Sequence, residues 1–192
     1  MRLIQNGVII QGLSRPTNFM TRVEYLGINS YYHSPLTKIS APECKSISDE
    51  VFSKKLDDGY YQILEFISDE ELFKRYVGLC KRHSVEIRAL FIESEYSFER
   101  WEGDMPPCRF IGYEYCEIPF DSQMITDFAW HEPLFAFYDR LNEYGLFDSL
   151  ADAESYKRKY DEEFEKGAIG DGEMDTFICR VYEIDLDAYE MF

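Results

Sequence analysis

The stretch SDEELFKRYVGLCKRHSVEIRALFIE, Ser68 to Glu93, decides the fold class. It opens on Ser68-Asp-Glu-Glu71, a capping box in which the Ser68 hydroxyl satisfies an amide of the first turn while Glu71 reaches back. Leu72, Phe73, Tyr76, Val77 and Cys80 then recur on one side at helical spacing, which predicts a helix to about His83. Val85–Glu93 alternates in its first half and is apolar on both sides in its second, the pattern of a central strand. A helix that runs straight into a buried strand implies one layer packed on another.

Working outward, Arg109–Ile118 (RFIGYEYCEI) is a second β-rich run, placed to pair with Val85–Glu93 across the polar loop between them. Asp121 or Ser122 caps a short helix carrying Met124, Ile125 and Phe128. Pro133 opens another helix that presents Leu134, Phe137, Tyr138 and Leu141, and Gly145 stops it. Ser149 caps a further helix with the stripe Ala153, Tyr156, Tyr160 and Phe164; Gly167 ends it, and Asp175–Ile184 is a last strand. Toward the N-terminus, Leu3–Ile10 reads as a strand broken at Asn6-Gly7, or as a hairpin turning there. Tyr60–Ile67 reads as a strand whose spacing also permits the start of a helix, and the remainder of residues 1–60 reads as irregular, with short strands and loops. The expectation is a single α+β domain over residues 1–192, best defined over 61–192: one mixed or mainly antiparallel sheet with three to four helices packed on it.

The composition fits that fold. Of 192 residues, 45% are apolar and 17% aromatic, enough to fill the core of one domain. No apolar run approaches the ~20 residues needed to cross a bilayer, and the start lacks a secretion signal, so a soluble cytoplasmic protein is expected. Twenty Lys and Arg face 37 Asp and Glu, a net charge of −17. The acid is concentrated late in the chain, where residues 139–192 hold 16 acids and 6 bases. Such a surface repels phosphate backbones and anionic membranes and attracts a basic protein. Neither direct nucleic-acid binding nor membrane binding is expected.

Five cysteines without a C-x-x-C pair read as reduced thiols rather than a disulfide framework or zinc site. No glycine-rich phosphate cradle or calcium loop is present, and no cofactor is expected. A catalytic reading places Cys108 or Cys116 with His131, oriented by Glu114 or Asp121. The loop Glu93–Asp104 (ESEYSFERWEGD) points elsewhere. It sets Tyr96, Phe98 and Trp101 among Glu99, Glu102 and Asp104, and rings within an acidic rim suit a hot spot for a basic partner. The competing reading folds those rings back onto the sheet as a lid. A third function, an acidic nucleic-acid mimic that blocks a DNA-binding protein, would need carboxylates spaced like phosphates.

One further pattern is Phe110-Ile-Gly-Tyr-Glu-Tyr115, a helix start containing Ser122, Leu141-Asn-Glu-Tyr-Gly-Leu-Phe147, a capped acidic helix and a last strand. Over roughly residues 108–186 it resembles small bacterial immunity-type proteins. These are encoded beside polymorphic or contact-dependent toxins and neutralise them by tight binding. The sequence departs from that pattern at Cys116-Glu-Ile-Pro119, where a glycine-rich turn is expected. The resemblance implies a non-enzymatic inhibitor of a basic toxin domain, such as a nuclease. Leu141–Phe147 itself has a structural explanation: a helix stop with Leu146 and Phe147 tucked beneath it.

Overall fold

The computed structural model describes residues 3–12, 35–52, 66–95, 100–117, 121–122, 132–168 and 176–188. They form an α+β fold around one antiparallel sheet of strands β1 (Ile4–Gly12), β2 (Phe66–Ile67), β3 (Ile87–Ser94), β4 (Cys108–Glu117), β5 (Asp121–Ser122) and β6 (Thr176–Ile184). The order across the sheet is β2-β1-β3-β6-β4-β5. The last strand therefore inserts between β3 and β4, and the expected pairing of those two does not form. Each pairs instead with β6, Phe91 opposite Tyr182 and Tyr182 opposite Phe110.

Around the sheet lie helices α1 (Pro42–Phe52), α2 (Glu70–Arg82) and α3 (Leu150–Glu165), with 3-10 helices at Pro35–Lys38 and Glu132–Arg140. The second 3-10 helix stands where an α-helix opened by Pro133 was expected, and it still buries Leu134 and Phe137. The cap of α2 is Asp69 rather than Ser68: the Asp69 carboxylate accepts from the Leu72 amide at 2.6 Å. In α3 the cap is as expected, with Ser149 Oγ accepting from the Asp152 amide at 3.1 Å. Each cap satisfies a donor that has no partner inside the helix.

The strand expected at Leu3–Ile10 is β1, while α1 stands where short strands and loops were expected. Asn6-Gly7 interrupts β1 as a bulge, where the register against β3 shifts between Gln5 and Gly7, rather than turning it as a hairpin. Gly7 has φ 155°, and a Cβ there would run into the Ile67 carbonyl and the Phe66 ring. Of Tyr60–Ile67, only Phe66–Ile67 is described, as β2. Asp121 and Ser122 form β5, and the helix expected to follow them, with Met124, Ile125 and Phe128, lies outside the described residues.

Strand alternation assigns the faces. One face carries Val8, Phe91, Tyr182 and Phe110 in a cross-strand row; toward its β1 side pack α2, through Phe73, Tyr76, Val77 and Cys80, and α1, through Ile47 and Val51. On the same face α3 and the second 3-10 helix pack toward β4, where Tyr115 meets Tyr156 and Tyr160 edge-on at 5.6 and 5.1 Å. The opposite face buries Leu90, Ile92, Cys116, Cys179 and Val181 with Leu146.

Candidate binding surface

The loop singled out in the sequence divides in two. Tyr96, Phe98 and Glu99 lie outside the described residues. Trp101 is 5% exposed, so it does not offer its ring to a partner. Its ring meets Phe73 at 6.2 Å and Phe91 at 5.7 Å, both edge-on, and its Nε1 donates to the Asp104 carbonyl at 3.0 Å. The hot-spot expectation for Trp101 is corrected to the lid reading: an indole is large enough to bridge helix and sheet, and its one polar atom finds an acceptor inside its own loop. The backbone amide of Trp101 donates to Gln5 and that of Glu102 to Ser68, which stitches the loop to β1 and to the start of α2.

Glu102 and Asp104 are exposed, as a rim would require. The Glu70 amide donates to the Glu102 carbonyl at 3.2 Å, and the Glu70 side chain packs against Gly103, so the loop acids adjoin those of the first turn of α2. Asp69, Glu70, Glu71, Glu102 and Asp104 form one acidic patch, offset by Lys74, which pairs with Glu70 at 3.1 Å and Glu71 at 3.0 Å. Met105, 37% exposed, follows directly and accepts from Gln5 Nε2.

A second feature, which the sequence reading missed, crosses the middle of the helix-bearing face. The cross-strand row Gln5, Glu93, Arg180 and Tyr113 lies beside the row Val8, Phe91, Tyr182 and Phe110. At the centre of a sheet such positions are ordinarily covered, yet Arg180 and Tyr182 are half-buried and Phe110 is 42% exposed. They lie between the packing of α2 and that of α3. The Phe110 ring meets Tyr113 at 5.1 Å and Tyr182 at 5.5 Å, and the Arg180 guanidinium lies 5.9 Å from the Tyr113 ring centre. The Tyr182 hydroxyl donates to Glu93 at 2.7 Å. Burial and then that carboxylate push the Tyr182 hydroxyl up to about 12. At its lower end, Cys108 and Ile184 join this trough to a groove of about 1070 Å³ reaching Lys81 and Asp187. The only sign of the trough in the sequence is an Arg inside an otherwise apolar strand, Phe177-Ile-Cys-Arg-Val-Tyr182.

The thiol reading finds little footing. Burial, and next the charge of Glu93, push the Cys108 thiol up to about 11, which keeps it in the thiol form at pH 7. Cys116 is fully buried on the opposite face, its sulfur 3.4 Å from that of Cys179, whose thiol burial also raises. Glu114 is fully buried on that face too. His131 lies outside the described residues, so no Cys–His pair is described. Among the described residues, no three His, Cys, Asp or Glu side chains converge as a metal site, and no helix is long and apolar enough to cross a membrane.

In Leu141–Phe147 the structure supplies the reason for the pattern. Asn142 Nδ2 donates to the Ile111 carbonyl and to Asp148, both at 2.8 Å, while its Oδ1 accepts from the Tyr144 and Leu146 amides. Gly145 takes φ 72°, and Phe147 then exchanges backbone hydrogen bonds with Tyr113 of β4. Tyr156 and Tyr160 of α3 are buried, as their stripe implied.

These features define an acidic, antiparallel α+β protein with an exposed acidic patch and an open aromatic trough. Comparison of the chain with protein-family models, with curated proteins and with solved structures finds no match.

Proposed function

We propose that the chain is a non-enzymatic, cytoplasmic binding protein that occludes a basic protein partner, in the manner of the immunity-type proteins its C-terminal half resembles. The observation that carries this reading is the acidic patch: Glu102 and Asp104 stand exposed beside Glu70 and Glu71, with Met105 as an apolar contact at its edge. A toxin that acts on nucleic acid needs a basic cleft to hold phosphates, and carboxylates held on a stitched loop complement such a cleft. Charge on this scale acts mainly on encounter. Unlike charges attract over a Debye length, about 8 Å at physiological ionic strength, and apolar contacts then slow release. Tyr96, Phe98 and Glu99 remain part of the proposed contact, while Trp101 supports it from beneath.

The test is co-expression with the reading frame adjacent to its gene, which is expected to be toxic when expressed alone. Rescue of growth by the wild-type chain, lost in a Glu102→Lys/Asp104→Lys variant that still melts normally, is the expected result. An association rate that falls steeply from low to physiological salt accompanies it. A salt-insensitive rate, or full rescue by the charge-reversed variant, would refute the role of the patch.

A further inference from the structure

We propose that the trough over the centre of the sheet is a binding site for a small organic carboxylate that carries a ring, with Arg180 holding the carboxylate and Phe110 stacking on the ring. The inference is independent of the acidic patch and rests on how Arg180 is partnered. In a chain with 37 acids and 20 bases, a half-buried cation has carboxylates to choose from. Elsewhere that choice is made: Lys74 holds Glu70, Lys157 holds Asp161 and Lys159 holds Glu163. Among the described residues, no carboxylate lies within ion-pair reach of Arg180, whose neighbours are the Tyr182 and Tyr113 side chains. Glu93, its cross-strand neighbour on β3, takes the Tyr182 hydroxyl instead.

A guanidinium has five N–H donors in a planar fork that matches a carboxylate, and the Tyr113 and Tyr182 side chains beside Arg180 bring it no charge of opposite sign. Partial burial strengthens such a pairing, because less water competes for the fork. The aromatic side chains around it are already ordered. Phe110, Tyr113 and Tyr182 hold one another edge-on, so little rotamer freedom is lost when a flat ring packs on the exposed side of Phe110. The Cys108–Ile184 pair, next along the strands from Phe110 and Tyr182, lines the groove and provides an approach to the site. A ring with a carboxylate uses both halves of the site; a plain hydrocarbon leaves the fork unused, and acetate leaves Phe110 bare.

The test titrates the full chain with benzoate, benzamide and acetate, following backbone and aromatic shifts by NMR. Saturable benzoate shifts centred on Phe110, Tyr113 and Arg180 are expected, with benzamide and acetate at least tenfold weaker. Arg180→Gln should weaken benzoate at least tenfold, and Phe110→Ala severalfold. Arg180→Lys, which keeps the charge without the fork, should fall between wild type and Arg180→Gln. Equal binding of benzamide, benzoate shifts centred elsewhere, absence of saturable binding, or benzoate affinity unchanged in Arg180→Gln would each overturn the proposal. Should Arg180→Gln fail to fold, the benzoate–benzamide contrast and the shift map on the wild-type chain still decide it.

Discussion

Replacing Trp101 by alanine separates a structural tryptophan from a recognition tryptophan. The ring is 5% exposed and bridges Phe73 of α2 to Phe91 of β3, so its removal opens a cavity where helix and sheet meet. Truncation of a large buried aromatic costs about 3–5 kcal/mol in transfer and cavity energy. The two edge-on contacts, worth about 0.5–1.5 kcal/mol each beyond buried area, place the loss in the upper part of that range. The hydrogen bond from Nε1 to Asp104 contributes about 1 kcal/mol, and its carbonyl acceptor can turn to water once the loop loosens. Against a total stability of about 5–15 kcal/mol, Trp101→Ala should remove a third or more. Urea unfolding followed by far-ultraviolet circular dichroism gives the measurement: a lower midpoint at unchanged slope. Trp101→Phe should recover more than half of the loss. A cost below about 1 kcal/mol, together with lost partner binding, would refute the placement of this ring in the core.

Three further outcomes follow from particular contacts. Asn142→Ala should cost about 2–3 kcal/mol in urea unfolding, because one side chain satisfies the Ile111 carbonyl and the Tyr144 and Leu146 amides; a loss under 0.5 kcal/mol would show that this turn holds without it. Hydrogen bonds from Lys159 and then Lys166 lower Glu163 from its ordinary 4.5 to about 2. Its contribution is therefore complete above about pH 4.5 and is lost as pH falls toward 2, so Glu163→Gln should flatten the dependence of melting temperature on pH in that window, and an unchanged slope would contradict it. Finally, Cys108, raised to about 11 by burial and Glu93, should react slowly with a thiol reagent at pH 7 and faster as pH approaches 11; rapid labelling at neutral pH would reopen the enzyme reading.

Helix α2 was legible because its signal is local: a polar cap, then apolar residues at three- and four-residue spacing, which any helix must bury. The same holds for α3 from Ser149 onward and for β6, whose alternation survives as Phe177, Cys179 and Val181 on one face and Ile178, Arg180 and Tyr182 on the other. Errors arose where two local descriptions cost nearly the same. Asp69 caps as well as Ser68, and Asn6-Gly7 suits a bulge as well as a turn. Helix α1 went unread because Cys44, Ile47 and Val51, its core-facing residues, are too sparse to stand out among polar neighbours.

The candidate surfaces divide along the same line. That residues 93–104 combine carboxylates with rings is a property of the chain, and the exposure of Glu102 and Asp104 agrees with it. Burial of Trp101 depends on Phe73 of α2 and Phe91 of β3, contacts that form only once the loop folds back between helix and sheet. The trough is more distant still from local sequence, since it exists only because β6 inserts between β3 and β4 and sets Arg180 between Glu93 and Tyr113. Periodicity and capping act within a few residues, so the chain by itself determines which segments become helices or strands and which side of each is apolar. Strand order is chosen by the sum of contacts between segments far apart in the chain, and that choice set Phe110, Tyr113 and Tyr182 beside one another at the open trough.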